Sequence, residues 1–335
     1  LDKIQPMPEK IAGDKNPLFT FKSFQEQFPD IAITDITRGT TMYALPLYLD
    51  TLALYYNKDT FNTAGIPTPP RTWEEFVRDV GILTKRDDKN NITQSATAIG
   101  TAHNINRSTD LLMLLMLQSG VRMNDRDNAS ATFSKDVENL NVGELAVQFY
   151  TDFANVSKPD RYTWDDRQKY SIDAFADGNT AMMLNYSHHI QTLRAKAPRL
   201  NFGIAPAPQP EKAGFAVNFA NYWAPTVSKQ SKHSDEAWQF LVYLATTDAA
   251  KLYLEASSRP AARRDLLDQQ KNDPDLGAFA NQALTARSWY QADNIAIETI
   301  FAKLIDDVNF NRFSIRDALR EAESQVNVIM SKQRK

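Results

Sequence analysis

The chain of 335 residues has no cysteine. That excludes disulfides, cysteine nucleophiles and thiolate metal sites. It suits an exported protein that avoids stray thiols, and a cytosolic chain can lack cysteine as well, so the compartment stays open here. Glycine is scarce, with eleven residues, and no two lie within two positions of each other. G-x-G-x-x-G therefore cannot occur, and no G-K-[ST] exists, which excludes phosphate cradles of the Rossmann and P-loop kinds. G-x-S-x-G is absent, so no nucleophile elbow is expected. Histidine occurs four times, as His103, His188, His189 and His233, without an HExxH pattern. Adjacent His188 and His189 are poorly placed to hold one ion from regular structure, so no metal is expected. No apolar run reaches membrane-spanning length. There is no basic block: the net charge is −3, and the closing Lys332, Gln333, Arg334, Lys335 is too short for a nucleic-acid surface. Internal repeats and low-complexity tracts are also absent.

What is present is an ordinary globular composition, 42% hydrophobic and 24% charged. The length holds two domains or lobes of roughly 150 residues each. The stretch from Tyr43 to Val77 shows the local grammar best. Thr40 to Tyr48 reads as a strand running into a turn at Asp50, and Leu52 to Tyr56 as a short buried strand. Asn57-Lys58-Asp59 opens a helix through Phe61 that Gly65 closes. Pro67, Pro69 and Pro70 forbid its continuation, because proline lacks the N–H and clashes with the preceding turn. Thr72 and Glu75 form a capping box for the next helix, which runs to Lys85 with Trp73, Phe76 and Val77 on its apolar face.

Further helices are expected over Phe19–Phe28 (stopped by Pro29), Thr109–Ser119 capped by Ser108, Val142–Phe153 with Leu145, Phe149 and Phe153 in register, and Ser171–Ala176. Asp235–Thr246 is expected to be capped by Ser234, with Ala237, Phe240, Leu241 and Leu244 on one face. Later helices start at Asp273-Pro274, run through Ile297–Val308, and begin again at Ser314 with Asp317. Thr109–Ser119 is apolar nearly all round, which predicts a buried helix whose methionines fill core. Strands are expected at Ala96–Gly100, Ala181–Leu184 and Asn201–Ala205. Strands interleaved with helices predict α/β lobes with mostly parallel sheets flanked by helices.

Acid–base chemistry has few candidates. Asp87-Asp88, Asp165-Asp166 and Asp306-Asp307 are adjacent pairs. Sugar hydrolases hold two carboxylates about 5–9 Å apart across the bond, which neighbours in sequence rarely achieve. Solvated surface is the better reading for them.

Four blocks, in order, carry a resemblance. Pro46, Asp50, Tyr56-Asn57-Lys58-Asp59, Pro67 to Pro70 and Thr72-Trp73-Glu74-Glu75 form the first. Ala174-Phe175-Ala176-Asp177-Gly178, ending Ala181-Met182, is the second, and Gly203 with Pro206 and Pro208 follows it. Val227-Ser228-Lys229 leading to Glu236-Ala237-Trp238-Gln239-Phe240-Leu241 comes next, and Arg259-Pro260-Ala261-Ala262-Arg263 is last, with Pro260 suited to a first helical position. Together they resemble the extracellular solute-binding proteins of sugar ABC importers, the family that includes maltose-binding proteins.

The resemblance implies a two-lobed periplasmic-binding-protein-like fold (type II). It puts residues 1-49 and 225-273 in lobe 1 and 50-224 and 274-335 in lobe 2, with hinge crossings near 48-51, 218-224 and 268-290. Leu1-Asp2-Lys3-Ile4-Gln5-Pro6 looks like a segment that follows the family's opening βα units, so the first lobe is expected to be incomplete. The implied function is extracytoplasmic capture of a small carbohydrate by a monomer, periplasmic or lipid-anchored at the cell surface through a missing N-terminus, that delivers its ligand to membrane permease subunits. No cofactor, nucleic acid or catalytic residue is implied. A sugar site needs aromatic platforms and planar polar groups, supplied by loops at strand ends.

By resemblance Asp50, after Tyr48, matches an acidic residue that bonds ligand hydroxyls; a hinge cap is the other reading. Tyr43 lies near the same edge or in the core. His103 and Asn104 contact ligand or are plain loop polarity. His188 stands where maltose-binding proteins carry a stacking Trp, with Tyr186 beside it to compensate. Tyr222 and Trp223 lie at the second crossing, and Arg259 faces ligand or braces the hinge. Trp289 and Tyr290 line the site or pack the third crossing, and Trp164 with Asp165 is a weaker pair. Two rivals stay open: the same fold binding a polyol phosphate or peptide, and a carbohydrate hydrolase using Asp50 with Asp165.

Overall fold

A computed structural model describes residues 3–12 and 19–332. Leu1 and Asp2 of the opening segment and the last three residues of the basic C-terminus lie outside the described residues. The chain forms two compact units. The first takes the chain to Thr51 and adds Tyr186–His188 and Ala220–Ser288; the second takes Leu52–Asn185, His189–Phe219 and the chain from Trp289 onward. Among the described residues no helix is long and apolar enough to cross a membrane.

The first unit is mainly helical. Phe21–Gln27 is capped by Thr20, whose hydroxyl accepts the Ser23 N–H at 2.9 Å. Pro29 stops that helix and at once serves as the N-cap of the next, Asp30–Ile36, with an extended ψ of 152° that suits a cap position. Phe24 and Phe28 pack at 4.9 Å between ring centroids and carry no exposed surface. They share one core with Trp238, Leu241, Leu254, Leu266 and Leu267. Thr37–Arg38 and Thr41–Met42 make a small antiparallel hairpin, and Ile4–Gln5 pairs antiparallel with Val227–Ser228.

The second unit is built on a five-stranded sheet in the spatial order Lys85–Arg86, Ile92–Thr97, Thr180–Asn185, Ala53–Asn57, Phe202–Pro206. Ala53–Asn57 is buried over most of its length, as its apolar run predicts. Asn57 ends it and caps the helix Lys58–Thr63, accepting the N–H groups of Asp59 and Thr60 at 3.0 Å. Gly65 then takes φ +71°, a conformation costly for any residue with a Cβ. The helix Ser108–Gln118 is buried from Ser108 to Met116.

Several expectations give way. The main sheet is mixed rather than mostly parallel. Ile92–Thr97 runs parallel to Thr180–Asn185, whereas Ala53–Asn57 is antiparallel to both its neighbours and Lys85–Arg86 is antiparallel to Ile92–Thr97. Interleaving of strands and helices predicts parallel pairing only where crossovers join sheet neighbours. The neighbours of Ala53–Asn57 come much later in the chain, so no crossover sets its direction. Thr40–Tyr48 is not one strand, since Thr41–Met42 pairs as a strand and Tyr48 makes a separate bridge to Ala261; between them Leu45 gives its N–H to the Pro225 carbonyl at 3.1 Å. Ser108 is no N-cap: its hydroxyl donates to the Ala102 carbonyl at 2.7 Å, and Arg107 takes the cap in a left-handed turn. Ser234 is already helical behind His233. Pro260 starts no helix, because the next one begins at Arg264. The helix expected at Asp273-Pro274 begins at Gly277, with Asp273 accepting the N–H groups of Asp275 and Leu276. Leu145 and Phe240 are exposed, at 51% and 58%, because Ala146, Val147 and Tyr150 in one helix, and Trp238, Leu241 and Val242 in the other, form the buried faces.

Candidate functional site

Seven of the ten nominated residues lie in the first unit, and all but Tyr222 belong to an array centred on Asp50. The segment Tyr48–Thr51 is an extended strip held on both sides. Tyr48 bridges Ala261 and Leu49 N–H reaches the Pro260 carbonyl at 3.3 Å. Asn221 N–H reaches the Asp50 carbonyl at 3.0 Å, and Thr51 bridges Ala220. Gln282 fixes the Thr51 hydroxyl at 2.8 Å.

Asp50 is buried to 1% exposure. Its Oδ1 accepts the Thr51 N–H at 3.0 Å, and both oxygens share the Ser187 N–H at 3.1 Å. The Ser187 hydroxyl donates to Oδ2 at 2.7 Å. A buried carboxylate is tolerable only with such a complement of donors. Two cationic or titratable side chains lie just beyond: Arg259 Nη1 at 3.6 Å and His188 Nδ1 at 4.0 Å from Oδ2. Asp50 is thus an anchor for the short excursion Tyr186–His188, and it faces inward.

The rings are ordered around it. His188 lies nearly parallel to Tyr186, 12° between planes and 6.2 Å between centroids. Arg259 follows the helix Thr247–Ser257, and Ser258 turns the chain with φ 51°. The guanidinium sits 4.9 Å from the Tyr48 ring centre. The Tyr48 hydroxyl accepts the Trp223 N–H at 3.3 Å; burial, the largest influence, pushes its pKa above the usual phenol value. Trp223 itself is 82% exposed, a large apolar ring left to solvent.

Tyr222 points its hydroxyl elsewhere, to Asp35 Oδ2 at 2.8 Å, while Ser288 donates to Asp35 Oδ1 at 2.5 Å. Burial first and the Asp35 charge second push the Tyr222 phenol well above its ordinary pKa. Tyr43 lies outside the array, its carbonyl accepting the Thr226 hydroxyl. Ser187, Asp35 and Ser288 were not nominated from sequence. A serine beside Tyr186 and His188 was the one available signal, and small polar residues in loops are too common to single out.

The other nominated residues belong to the second unit. His103 is exposed and bonds Asp306 at 2.9 Å. Asn104 is committed to its loop: its Oδ1 accepts the Trp164 indole N–H at 3.0 Å, and its Nδ2 donates to the carbonyls of Asp165 and Gln168. Trp164 is fully buried. Trp289 packs among Phe133 and Phe301 and gives its N–H to Met113 Sδ at 3.3 Å. Two hollows of about 310 and 580 Å³ also lie in this unit, lined by none of the nominated residues. Among the described residues no group of three or more histidine, aspartate or glutamate side chains could hold a metal ion.

Comparison with known proteins follows the same direction. The family model described as bacterial extracellular solute-binding protein matches residues 1–251. A binding protein of Brucella abortus is 25% identical over 277 residues, which is 82% of this chain and 63% of that protein; the chain therefore spans under two thirds of that relative's length. The multiple sugar-binding protein of Streptococcus mutans is 24% identical over 239 residues, 70% of this chain and 54% of its own. Among solved structures, the sugar-binding protein MalE of Xanthomonas citri superposes with a TM-score of 0.78 at 21% identity, over 99% of this chain and 80% of that one. At that identity the likeness establishes the fold, an α/β solute-binding fold, and nothing finer.

Proposed function

Since the chain belongs to the bacterial extracellular solute-binding protein family, we propose that it captures a small carbohydrate outside the cytoplasmic membrane and hands it unaltered to the permease of an ABC importer. The observation that carries this reading is the array around Asp50. Its members are an exposed indole, a stacked Tyr186–His188 pair and a guanidinium on the Tyr48 face, linked through Tyr48 and Asp50. Sugars offer faintly apolar ring faces and rims of hydroxyls, and aromatic platforms beside planar donors suit both. Sugar-binding names among its relatives and structural neighbours support the same substrate class.

Release without chemistry fits the state of the carboxylates. Asp50 is committed to Ser187 and Thr51. Burial pushes the Asp165 pKa up, but hydrogen bonds from Arg167 and Tyr162 outweigh it and hold the group below its ordinary value. A glycosidase acid needs the reverse, a carboxyl kept protonated near neutrality.

A thermal-shift screen of the purified chain over mono- and oligosaccharides tests the proposal. Ligand at a hundred times its Kd adds about 2.7 kcal/mol to stability, which reads as a clear rise in Tm. No rise with any saccharide, or turnover of chromogenic glycosides, would overturn it.

A further inference from the structure

We infer that the saccharide bound here carries an anionic group, and that Arg259 is the residue that receives it. This rests on the carbohydrate reading above and narrows its substrate class.

The two arginines of the Arg259-Pro260-Ala261-Ala262-Arg263 block stand in opposite states. Arg263 is fully committed: it forks onto Asp265 at 3.0 and 3.1 Å and donates to Gln27 at 2.6 Å and to the Ala245 carbonyl at 2.8 Å. Only 9% of it is exposed. Arg259 makes no side-chain hydrogen bond among the described residues. Its approach to Asp50, 3.6 Å, lies beyond hydrogen-bond reach, and 27% of its side chain is open to solvent. Its stem is nevertheless held, since the guanidinium rests on the Tyr48 face. A guanidinium carries five N–H donors in a rigid fork. Here the fork is positioned and its donors are left over.

Asp50 cannot take up the difference. Its two oxygens are occupied by the N–H groups of Thr51 and Ser187 and by the Ser187 hydroxyl. The carboxylate that the resemblance assigned to ligand hydroxyls is therefore turned into the protein. Trp223, whose backbone N–H reaches the Tyr48 hydroxyl, leaves to solvent an indole, another group that can only donate. A neutral sugar hydroxyl accepts only a single bond from such a fork. A fork of free donors together with an exposed ring instead matches a pyranose bearing a carboxylate or a phosphate, the groups that guanidinium recognises through paired hydrogen bonds.

Isothermal titration calorimetry on the purified chain decides it. The probes are hexoses and hexuronates, as mono- and disaccharides matched in ring stereochemistry, with the corresponding hexose 6-phosphates as a third arm. The acidic member of a matched pair is expected to bind about tenfold tighter or more. Arg259→Gln should erase that preference. Arg259→Lys, which keeps a cation over Tyr48 without the fork, should retain only part of it. A preference for uronates names a carboxylate as the anion, and one for 6-phosphates names a phosphate. Neutral saccharides bound as tightly as their acidic partners, or a preference that survives Arg259→Gln in folded protein, would overturn the inference and leave the carbohydrate reading standing. Binding of no saccharide in any arm would overturn both.

Discussion

The Asp50 carboxylate receives both the backbone N–H and the hydroxyl of Ser187, a residue 137 positions away in the chain. The pair makes Asp50 a structural anchor, with a direct consequence for mutagenesis. Asp50→Ala strands three buried donors and is expected to cost about 3 kcal/mol, whereas Ser187→Ala, which leaves the backbone bonds, costs about 1 kcal/mol. Urea unfolding measures both. An Asp50→Ala protein as stable as the parent would show that the carboxylate serves ligand alone.

Asp79 sits on the helix Trp73–Leu83 with no exposed surface. Arg78 bonds its Oδ1 at 3.0 and 3.1 Å, and its Oδ2 has no hydrogen-bond partner among the described residues. Burial, the dominant influence, raises its pKa above 3.8 against the pull of Arg78. The folded state therefore holds its proton to higher pH than the unfolded state does. The stability contribution of Asp79 falls as pH rises through that window and stays lowered above it. Asp79→Asn should accordingly stabilise the protein at neutral pH by about 1 kcal/mol. The gain should disappear as pH drops below 3.8. Tm measured across a pH series checks the sign, and a gain that grows towards acid would contradict it.

Gly100 combines φ +114° with a close approach, for a Cβ there would lie 2.7 Å from the Ala154 nitrogen. Backbone cannot retreat as a side-chain end can. Gly100→Ala is expected to cost about 2–4 kcal/mol. Gly120→Ala, also at positive φ but in open space, should cost less, about 1 kcal/mol. Equal losses for the two would show that the contact with Ala154 is not the cause.

His103 and Asn104 are neighbours in sequence with different stakes. The His103–Asp306 pair is largely exposed on the histidine side, so His103→Ala should change stability by less than about 0.5 kcal/mol. Asn104→Ala leaves the buried Trp164 N–H and two loop carbonyls without their partner, and should cost about 2 kcal/mol. Thermal unfolding of the two variants side by side separates these roles, and a ranking in the other order would refute the assignment.

Much of the local structure was legible from residue order. Asn57 and Ser314 cap their helices through their side chains. Thr72 does the same for Glu75 N–H at 3.1 Å, and the Glu75 carboxylate reaches back to the N–H groups of Arg71 and Thr72. The buried strand before Asn57 and the all-apolar helix near Leu114 also stood out, because composition over a few residues decides them. Of the nominated residues, Tyr48, Asp50, Tyr186, His188, Tyr222, Trp223 and Arg259 fall in one unit. Their roles were not legible. Nothing near Asp50 in sequence announces Ser187, and nothing near Trp289 announces Met113, 176 positions away.

By itself the amino-acid sequence determined the position of most helices to within a few residues, the burial of the strand before Asn57 and of the helix around Leu114, and which family's pattern the chain follows. Those properties rest on bonds spanning a few residues and on the spacing of apolar side chains. Only the tertiary structure decided that Asp50 faces inward, that Arg263 is committed and Arg259 is not, and that Ala53–Asn57 runs against both its neighbours. Each of these depends on partners brought together by chain closure, and a hydrogen bond between distant residues leaves no mark on the spacing around either one.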